Sequence, residues 1–384
     1  MLYAIQFNSF EAAASISTIL QNAQCTVVEY MDKQASQDPA FPKVKAILSA
    51  TFEKELGGMK SVVEFVKKRG VKSLAIIEEN AKNFAVERSM NGALLRLALP
   101  KTDHPLEKQF LLNLAVSFIT EGQSTIAADR LSVDLLTLAR KVSKSNVNVF
   151  VNGPTGSGKE VLAQYIHKNS PRSKHPFVAI NCAAIPENML EALLFGHKKG
   201  AFTGASTASD GIFKAADCGT LLLDEVSEMS MPLQAKLLRV LQEKSVVPLG
   251  ASTAIPVDVR TLATSNRNIP MEIREGRFRE DLYFRLNVFP LATYALNDRP
   301  EDIIPIAAEL LVRHHNDLSD FPTISGEALK SLRDYAWPGN VRELENVIQR
   351  ATVLRSGARI LAEDIMIDRA MAESGTVPAM VAQA

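Results

Sequence analysis

The sequence predicts an α/β protein: a doubly wound N-terminal domain with a parallel sheet, a second and larger α/β body, then an all-helical part. Three observations point there. Short apolar runs alternate with amphipathic ones through the first 120 residues. The alternation restarts near residue 130 and places a glycine-rich loop between a strand-like and a helix-like run. After about residue 292 only helical spacing remains. Strands that alternate with helices need crossover connections, which lay the strands parallel with helices on both faces.

The elements follow in order. YAIQF reads as a strand, and EAAASISTILQNA has helical spacing through Ala14, Ile16, Ile19 and Leu20. CTVVEY and KVKAILSAT are strand-like, and MKSVVEFVKKRG is a helix closed by Gly70. VKSLAIIEE and LLRLALPK are strands, and PLEKQFLLNLAVSFITEG ends this part as a helix. TEGQSTIAADR is the expected linker. DLLTLARKVSKS (helix) and NVNVFVNG (strand) open the second α/β body. EDIIPIAAELLVRHHN, SGEALKSLRDYA and VRELENVIQRATVLRS are the final helices. The expected divisions are 1–122, 123–292 and 293–370, with 371–384 a loose tail.

Composition narrows the function. The 384 residues carry 43 basic and 43 acidic side chains, a net charge of zero, which argues against a large basic DNA-binding surface. Cys25, Cys182 and Cys218 have no CxxC or Cys/His ligand spacing, so they read as reduced thiols of a cytoplasmic protein. The start MLYAIQFNSF has no charged leader region. The apolar stretch around Leu111 to Ile119 is far short of the ~20 residues that span a bilayer.

Chemistry concentrates in the second body. Gly153-Pro154-Thr155-Gly156-Ser157-Gly158-Lys159 matches GxxxxGK between a strand and a helix. Glycines let the backbone N–H groups turn inward around phosphates, and the helix N-terminus adds partial positive charge. Lys159 can reach the β- and γ-phosphates. Glu160 stands where such loops usually carry the Ser or Thr that helps hold Mg²⁺. Farther on, the apolar run Thr220-Leu-Leu-Leu ends in Asp224 and Glu225. An aspartate there can hold Mg²⁺ through water, and a neighbouring glutamate can orient an attacking water.

Gly200-Ala201-Phe202-Thr203-Gly204-Ala205 spells GAFTGA. Around it stand NCAAIPENMLEALLFGHKKGAFTGA, GTLLLDEVSEM, VDVRTLATSNRN, GRFREDLYFRLNVFPL and WPGNVRELENVIQRA. Over residues 124–368 the chain resembles bacterial enhancer-binding proteins, the AAA+ activators of sigma-54 RNA polymerase, and among them flagellar regulators. The resemblance implies a receiver-like N-terminal domain, a AAA+ ATPase core and an α-helical lid. It implies ATP and Mg²⁺ as cofactors, with Lys159 on phosphate, Asp224 on Mg²⁺ and Glu225 on water. Asn181 would be the switch that restrains Glu225, and Ser265 and Asn266 the γ-phosphate sensor. Arg279 and Arg285 would be fingers supplied across a subunit boundary, although by themselves they read as a solvated charged helix. Arg342 would be the lid arginine that senses nucleotide, and Phe202 and Thr203 would touch sigma-54. Leu193 and Lys198 replace acids common in the family, and only Arg299 survives of its usual pre-lid arginine stretch.

The two ends set the regulatory expectations. A receiver needs an acidic pair after its first strand and a phosphorylatable aspartate after its third. Here those places hold Phe7, Asn8 and Ser9, then Ser49 and Ala50, with Lys101 in the place of the receiver lysine. The expected N-terminal domain is therefore degenerate, takes no phosphate and serves a protein regulator or ring assembly. Only 47 residues follow Trp337, too few and too weakly basic for a lid and a helix-turn-helix. The expectation is an ATPase that remodels sigma-54 RNA polymerase without specific DNA contact of its own. It would form a homo- or hetero-hexameric ring with a DNA-binding paralogue. The alternative is an interaction subunit that modulates a partner activator with little turnover of its own.

Overall fold

The computed structural model describes residues 2–29, 44–68, 70–121, 125–201 and 206–367. The expected C-terminal tail, 371–384, lies outside them. The chain forms two compact units, one of residues up to 133 together with those from 296 onward, the other of residues 134–295.

In the first unit the N-terminal elements are β1 (Leu2–Ile5), α1 (Ala13–Asn22), β2 (Thr26–Glu29), β3 (Val44–Ser49), α2 (Ala50–Glu55), α3 (Met59–Lys67), β4 (Ser73–Ala81), β5 (Ala85–Ser89), β6 (Leu94–Pro100) and α4 (Pro105–Thr120). The sheet order is β2-β1-β3-β4-β6-β5, and every neighbouring pair is parallel except β5 with β6. That is the doubly wound arrangement expected, with one antiparallel edge strand that the apolar alternation does not predict.

The end of β3 carries no acid. Ser49 ends β3 and caps α2, its Oγ accepting from the Phe52 N–H at 3.0 Å. The same hydroxyl donates to Gln6 Oε1 at 3.4 Å, and both residues are buried. A serine and an amide offer no carboxylate to collect Mg²⁺ or to accept phosphoryl.

The helical part of this unit is α12 (Ile303–His314), α13 (Gly326–Asp334) and α14 (Asn340–Leu354). It is not purely helical: β14 (Thr323–Ile324) pairs in parallel with β15 (Arg359–Ile360). The strands of that pair are two residues each, too short to show a period in sequence.

Helix α4 joins the two parts of the unit. Nearly all of its length from Phe110 to Thr120 is buried, on every face. A helix apolar all round must be covered all round. One apolar cluster runs from Tyr3, Ile5, Leu97 and Phe118 to Leu310, Leu329, Trp337 and Leu344, so the N-terminal sheet and the lid helices share a core. Polar ties reinforce it: Glu107 of α4 accepts from the Gly326 N–H at 2.7 Å and pairs with Arg359.

Glu309 of α12 lies in this core at 3% exposure. Burial holds its carboxyl above the usual range, against the opposing pull of Ser117 and Arg313. For a folded pKa raised above the unfolded one, stability is fully present below the unfolded pKa and is lost as pH rises through the folded value. Thermal melts across a pH series are expected to fall along that limb, and Glu309→Gln to flatten the fall. An unchanged slope in the variant overturns this assignment.

The second unit contains β7 (Val149–Asn152), α6 (Lys159–Lys168), β8 (Phe177–Asn181), α7 (Glu187–Phe195), α8 (Ile212–Ala215), β9 (Thr220–Asp224), α9 (Met231–Glu243), β10 (Ser245–Val246), β11 (Ile255–Pro256), β12 (Arg260–Ser265), α10 (Ile269–Arg274), α11 (Glu280–Leu286) and β13 (Phe289–Ala292). Its main sheet is fully parallel in the order β13-β7-β12-β9-β8. Helix α5 (Arg130–Ser143) runs across the division between the units.

Candidate functional site

Strand register gathers the site. Asn181 is opposite Asp224, and Ser265 is opposite Asn152, so four strands end together at one edge of the sheet. In open parallel sheets this carboxyl edge is where ligands bind. The loop 153–158 leaves β7 at that edge and enters α6.

The loop is shaped by its glycines. Gly158 caps α6 in the left-handed region at φ +99°. A Cβ on Gly153 would meet Thr293 Oγ1 at 2.0 Å and the Thr293 carbonyl oxygen at 2.6 Å, so only glycine lets the end of β13 pack there. Ser157 Oγ shares a hydrogen bond with Thr293 Oγ1 at 2.7 Å and bonds the Pro154 carbonyl. Lys159 is 7% exposed, and its Nζ donates to the carbonyls of Gly153 at 2.9 Å and Pro154 at 3.0 Å. The cation is thus held inside the loop, and the first N–H groups of α6 have no partners within the helix. Together they make an anion cradle. Glu160 is exposed beside it and accepts from Gln164.

The acids stand on the neighbouring strand. Asp224 Oδ2 accepts from Asn181 Nδ2 at 3.1 Å, and Oδ1 accepts from the Thr264 hydroxyl. Glu225 sits in the left-handed region at φ +53°, and its N–H donates to Thr264 Oγ1 at 3.0 Å. Two expectations change here. The Asn181 amide engages Asp224 rather than Glu225, while its Oδ1 accepts from the Ala183 and Ala184 N–H groups. Ser265 is fully buried and its Oγ bonds Ser227, so its side chain turns from the loop. Asn266 makes the contact instead, donating to Thr155 Oγ1 at 2.9 Å. Thr264 was not anticipated; its signal in sequence is only a hydroxyl one residue before the sensor pair. Beside the acids, burial and then the charges of Asp224 and Glu225 push the Cys182 thiol up to about 12, so it stays protonated.

The two arginines have partners of their own. Arg279 precedes α11 and forks onto Asp281 at 2.9 and 2.6 Å. Arg285 donates to the Leu241 carbonyl, and its own carbonyl accepts from Asn148 just before β7. Asn148 lies at the opposite end of β7 from Gly153, about 17 Å away along an extended strand. Arg285 is therefore set against the far edge of the sheet from its own phosphate loop. Arg342 is exposed on α14, in the other unit.

Of the GAFTGA loop, Gly200 and Ala201 are described, and Phe202, Thr203, Gly204 and Ala205 lie outside the described residues. Its stem was not foreseen. His197 and Ser209 exchange two backbone bonds of 2.8 and 2.9 Å, and Lys198 N–H donates to the Leu249 carbonyl. A Cβ on Gly196 or Gly211 would strike backbone at 2.4 Å, so these glycines close the stem.

Similarity to known proteins agrees with this geometry. The Sigma-54 interaction domain family matches residues 125–292, and the AAA+ ATPase lid domain family matches 297–378. The response regulator protein FleR of Pseudomonas aeruginosa is 50% identical over 290 residues, which are 74% of this chain and 60% of FleR. The transcriptional regulatory protein FlbD of Caulobacter vibrioides is 44% identical over 67% of this chain and 56% of its own length. The chain thus spans little more than half the length of these two relatives. The Sigma54-dependent transcriptional activator SfnR of Pseudomonas putida is 45% identical over 66% of this chain and 69% of SfnR. NtrX from Brucella abortus, solved in complex with ADP, shares the fold at a TM-score of 0.59 and 24% identity, covering 95% of this chain and 85% of that one. No described helix is long and apolar enough to cross a membrane.

Proposed function

The chain belongs to the family of sigma-54-dependent transcriptional activators with an AAA+ P-loop core and lid, and from that premise we propose that it hydrolyses ATP to remodel sigma-54 RNA polymerase. The convergence of Lys159, Asp224, Asn181 and Asn266 on one sheet edge carries this reading. The residues fit the nucleotide: a glycine-shaped cradle with a buried lysine, and an aspartate beside it with its two oxygens pre-oriented by Asn181 and Thr264. Loop N–H groups and Lys159 would hold the β- and γ-phosphates, and Asp224 would hold Mg²⁺, which supplies neutralisation of phosphate charge when bound. Glu225 would orient the attacking water, and Asn266 with Thr155 would register the γ-phosphate.

Arg279 and Arg285 are proposed to serve a neighbouring subunit's nucleotide, because Arg285 is set at the wrong edge for its own. This favours a ring, which we take to be a hexamer of this chain or one mixed with a DNA-binding paralogue. We further assign sigma-54 contact to the loop 200–205, nucleotide sensing to Arg342, flagellar promoters as the target set and a protein regulator to the N-terminal domain.

The test is complementation. Lys159→Ala and Arg285→Ala are each expected to be inactive alone. Mixed, they should regain ATPase activity, because an Arg285→Ala loop then meets an intact finger from the Lys159→Ala chain. Failure to regain activity, with mixed assembly verified by native mass spectrometry, overturns the shared site. A second reading, an interaction subunit with little turnover, draws on the exposed Leu193 and on Lys198 at the loop stem. It is favoured if the wild type shows no ATPase activity at any protein concentration.

A further inference from the structure

A cavity of about 670 Å³ lies within the first unit, between the β4–β5 turn and the end of β6 on one side and the β14–β15 pair on the other. It is within the size range of small-molecule sites. It shares no residue with the loop 153–159 or the acids of β9.

Its floor is aromatic. Phe84 and Phe321 stand with ring centroids 5.8 Å apart, and both rest on Phe118, at 6.4 and 4.9 Å. Phe321 is 7% exposed, while Phe84 is only half-buried and so presents part of a flat face. Such faces favour a planar unsaturated partner by offset or edge contact.

Its rim is cationic. Lys82, Lys101 and Arg359 line it, against the two acids Glu107 and Asp320. Both acids are already engaged. Glu107 accepts from the Gly326 N–H, from Thr102 Oγ1 at 2.9 Å and from Arg359. Asp320 is held by Arg355. Lys82 and Lys101 make no hydrogen bond or ion pair among the described residues. Two uncommitted ammonium groups lining the same cavity as two aromatic rings attract a negative group and reject a positive one.

We propose that this cavity binds a small organic anion, a planar apolar ring carrying one or two acidic groups. The ring would lie on Phe84 and Phe321, and the acidic group would reach Lys82 and Lys101. A molecule so placed touches both the β4–β5 turn and the β14–β15 pair. Binding therefore stabilises the unit that those two parts form together. The site does not depend on the nucleotide reading, and its test needs no ATPase activity.

Calorimetric titration of the full chain with naphthalene sulfonate supplies the probe. Methanesulfonate (the anion without the ring) and naphthalene methanol (the ring without the anion) are its controls. Naphthalene sulfonate is expected to bind at least about ten-fold more tightly than either control. The double variant Lys82→Glu/Lys101→Glu, at two exposed positions where folding is little disturbed, should weaken it by at least about ten-fold. Lys159→Ala should leave it unchanged. Absence of binding to the wild type, equal binding of ring and ring-plus-anion, or binding indifferent to the lysine pair each overturn the proposal. Loss of binding in Lys159→Ala, with the lysine pair without effect, would move the site to the phosphate loop and overturn it as well.

Discussion

Lys159→Ala is expected to lower ATP turnover by at least about 100-fold while the chain stays folded. The lysine is the one cation inside the loop, and its ammonium now rests on the Gly153 and Pro154 carbonyls. A phosphoryl oxygen is a stronger acceptor for the ammonium than a peptide carbonyl, because it adds a negative charge to a bond whose donor is already ionised. Removing one such preorganised contact to developing charge costs about two to three orders of magnitude in kcat. The alanine leaves two carbonyls at the loop mouth that repel phosphate. Phosphate release measured with saturating ATP, alongside a circular dichroism melt, checks both halves. A variant with near wild-type turnover removes Lys159 from the site.

Asp302→Ala is expected to destabilise the first unit by about 3–5 kcal/mol, the range for breaking a buried ion pair from one side. Asp302 is fully buried. Its Oδ1 accepts from the Ala128 and Asp129 N–H groups at 2.7 and 2.8 Å, and its Oδ2 from Ser132 Oγ and from Arg299 at 3.3 Å. Residues more than 170 apart in sequence thus meet on one carboxylate, which pins the entry of α5 to the start of α12. Alanine strands two amides and takes the counter-charge from Arg299. Asparagine keeps one acceptor, so Asp302→Asn should lose less. Urea denaturation of the full chain reads the difference. A loss under about 1 kcal/mol for alanine contradicts the buried-pair cost.

The same carboxylate explains the surviving Arg299. In sequence it was the remnant of a family stretch. In the structure it is the partner of Asp302 and half-closes the carboxylate with the linker amides. No spacing rule connects Ala128 with Asp302, so nothing in the sequence pointed to that role.

Much of the site was legible because its signals are local. GxxxxGK needs glycines for left-handed backbone, and Gly158 at φ +99° meets that need. An apolar run ending in two acids becomes a buried strand that delivers Asp224 to the sheet edge. The alternation of strands and helices gave the parallel sheets. It passed over β5, whose stretch Ala85–Ser89 carries two charged residues and exposes most of its side chains at the sheet edge. The lack of acids at Phe7, Asn8, Ser9, Ser49 and Ala50 is also read directly from sequence, whereas the bond between Ser49 and Gln6 is not.

What sequence alone determined, then, is the fold class, the phosphate loop, the acid pair and the family, since each rests on backbone preference or on spacing within a few residues. Tertiary structure alone decided that Asn181 holds Asp224, that the side chain of Asn266 rather than that of Ser265 reaches the loop, and that α4 is shared between the N-terminal sheet and the lid. The physical reason is the range of the forces involved. Periodicity fixes which face of an element is apolar, but which other face covers it depends on burial between segments hundreds of residues apart, and hydrogen-bond partners are fixed only after that packing has chosen the rotamers.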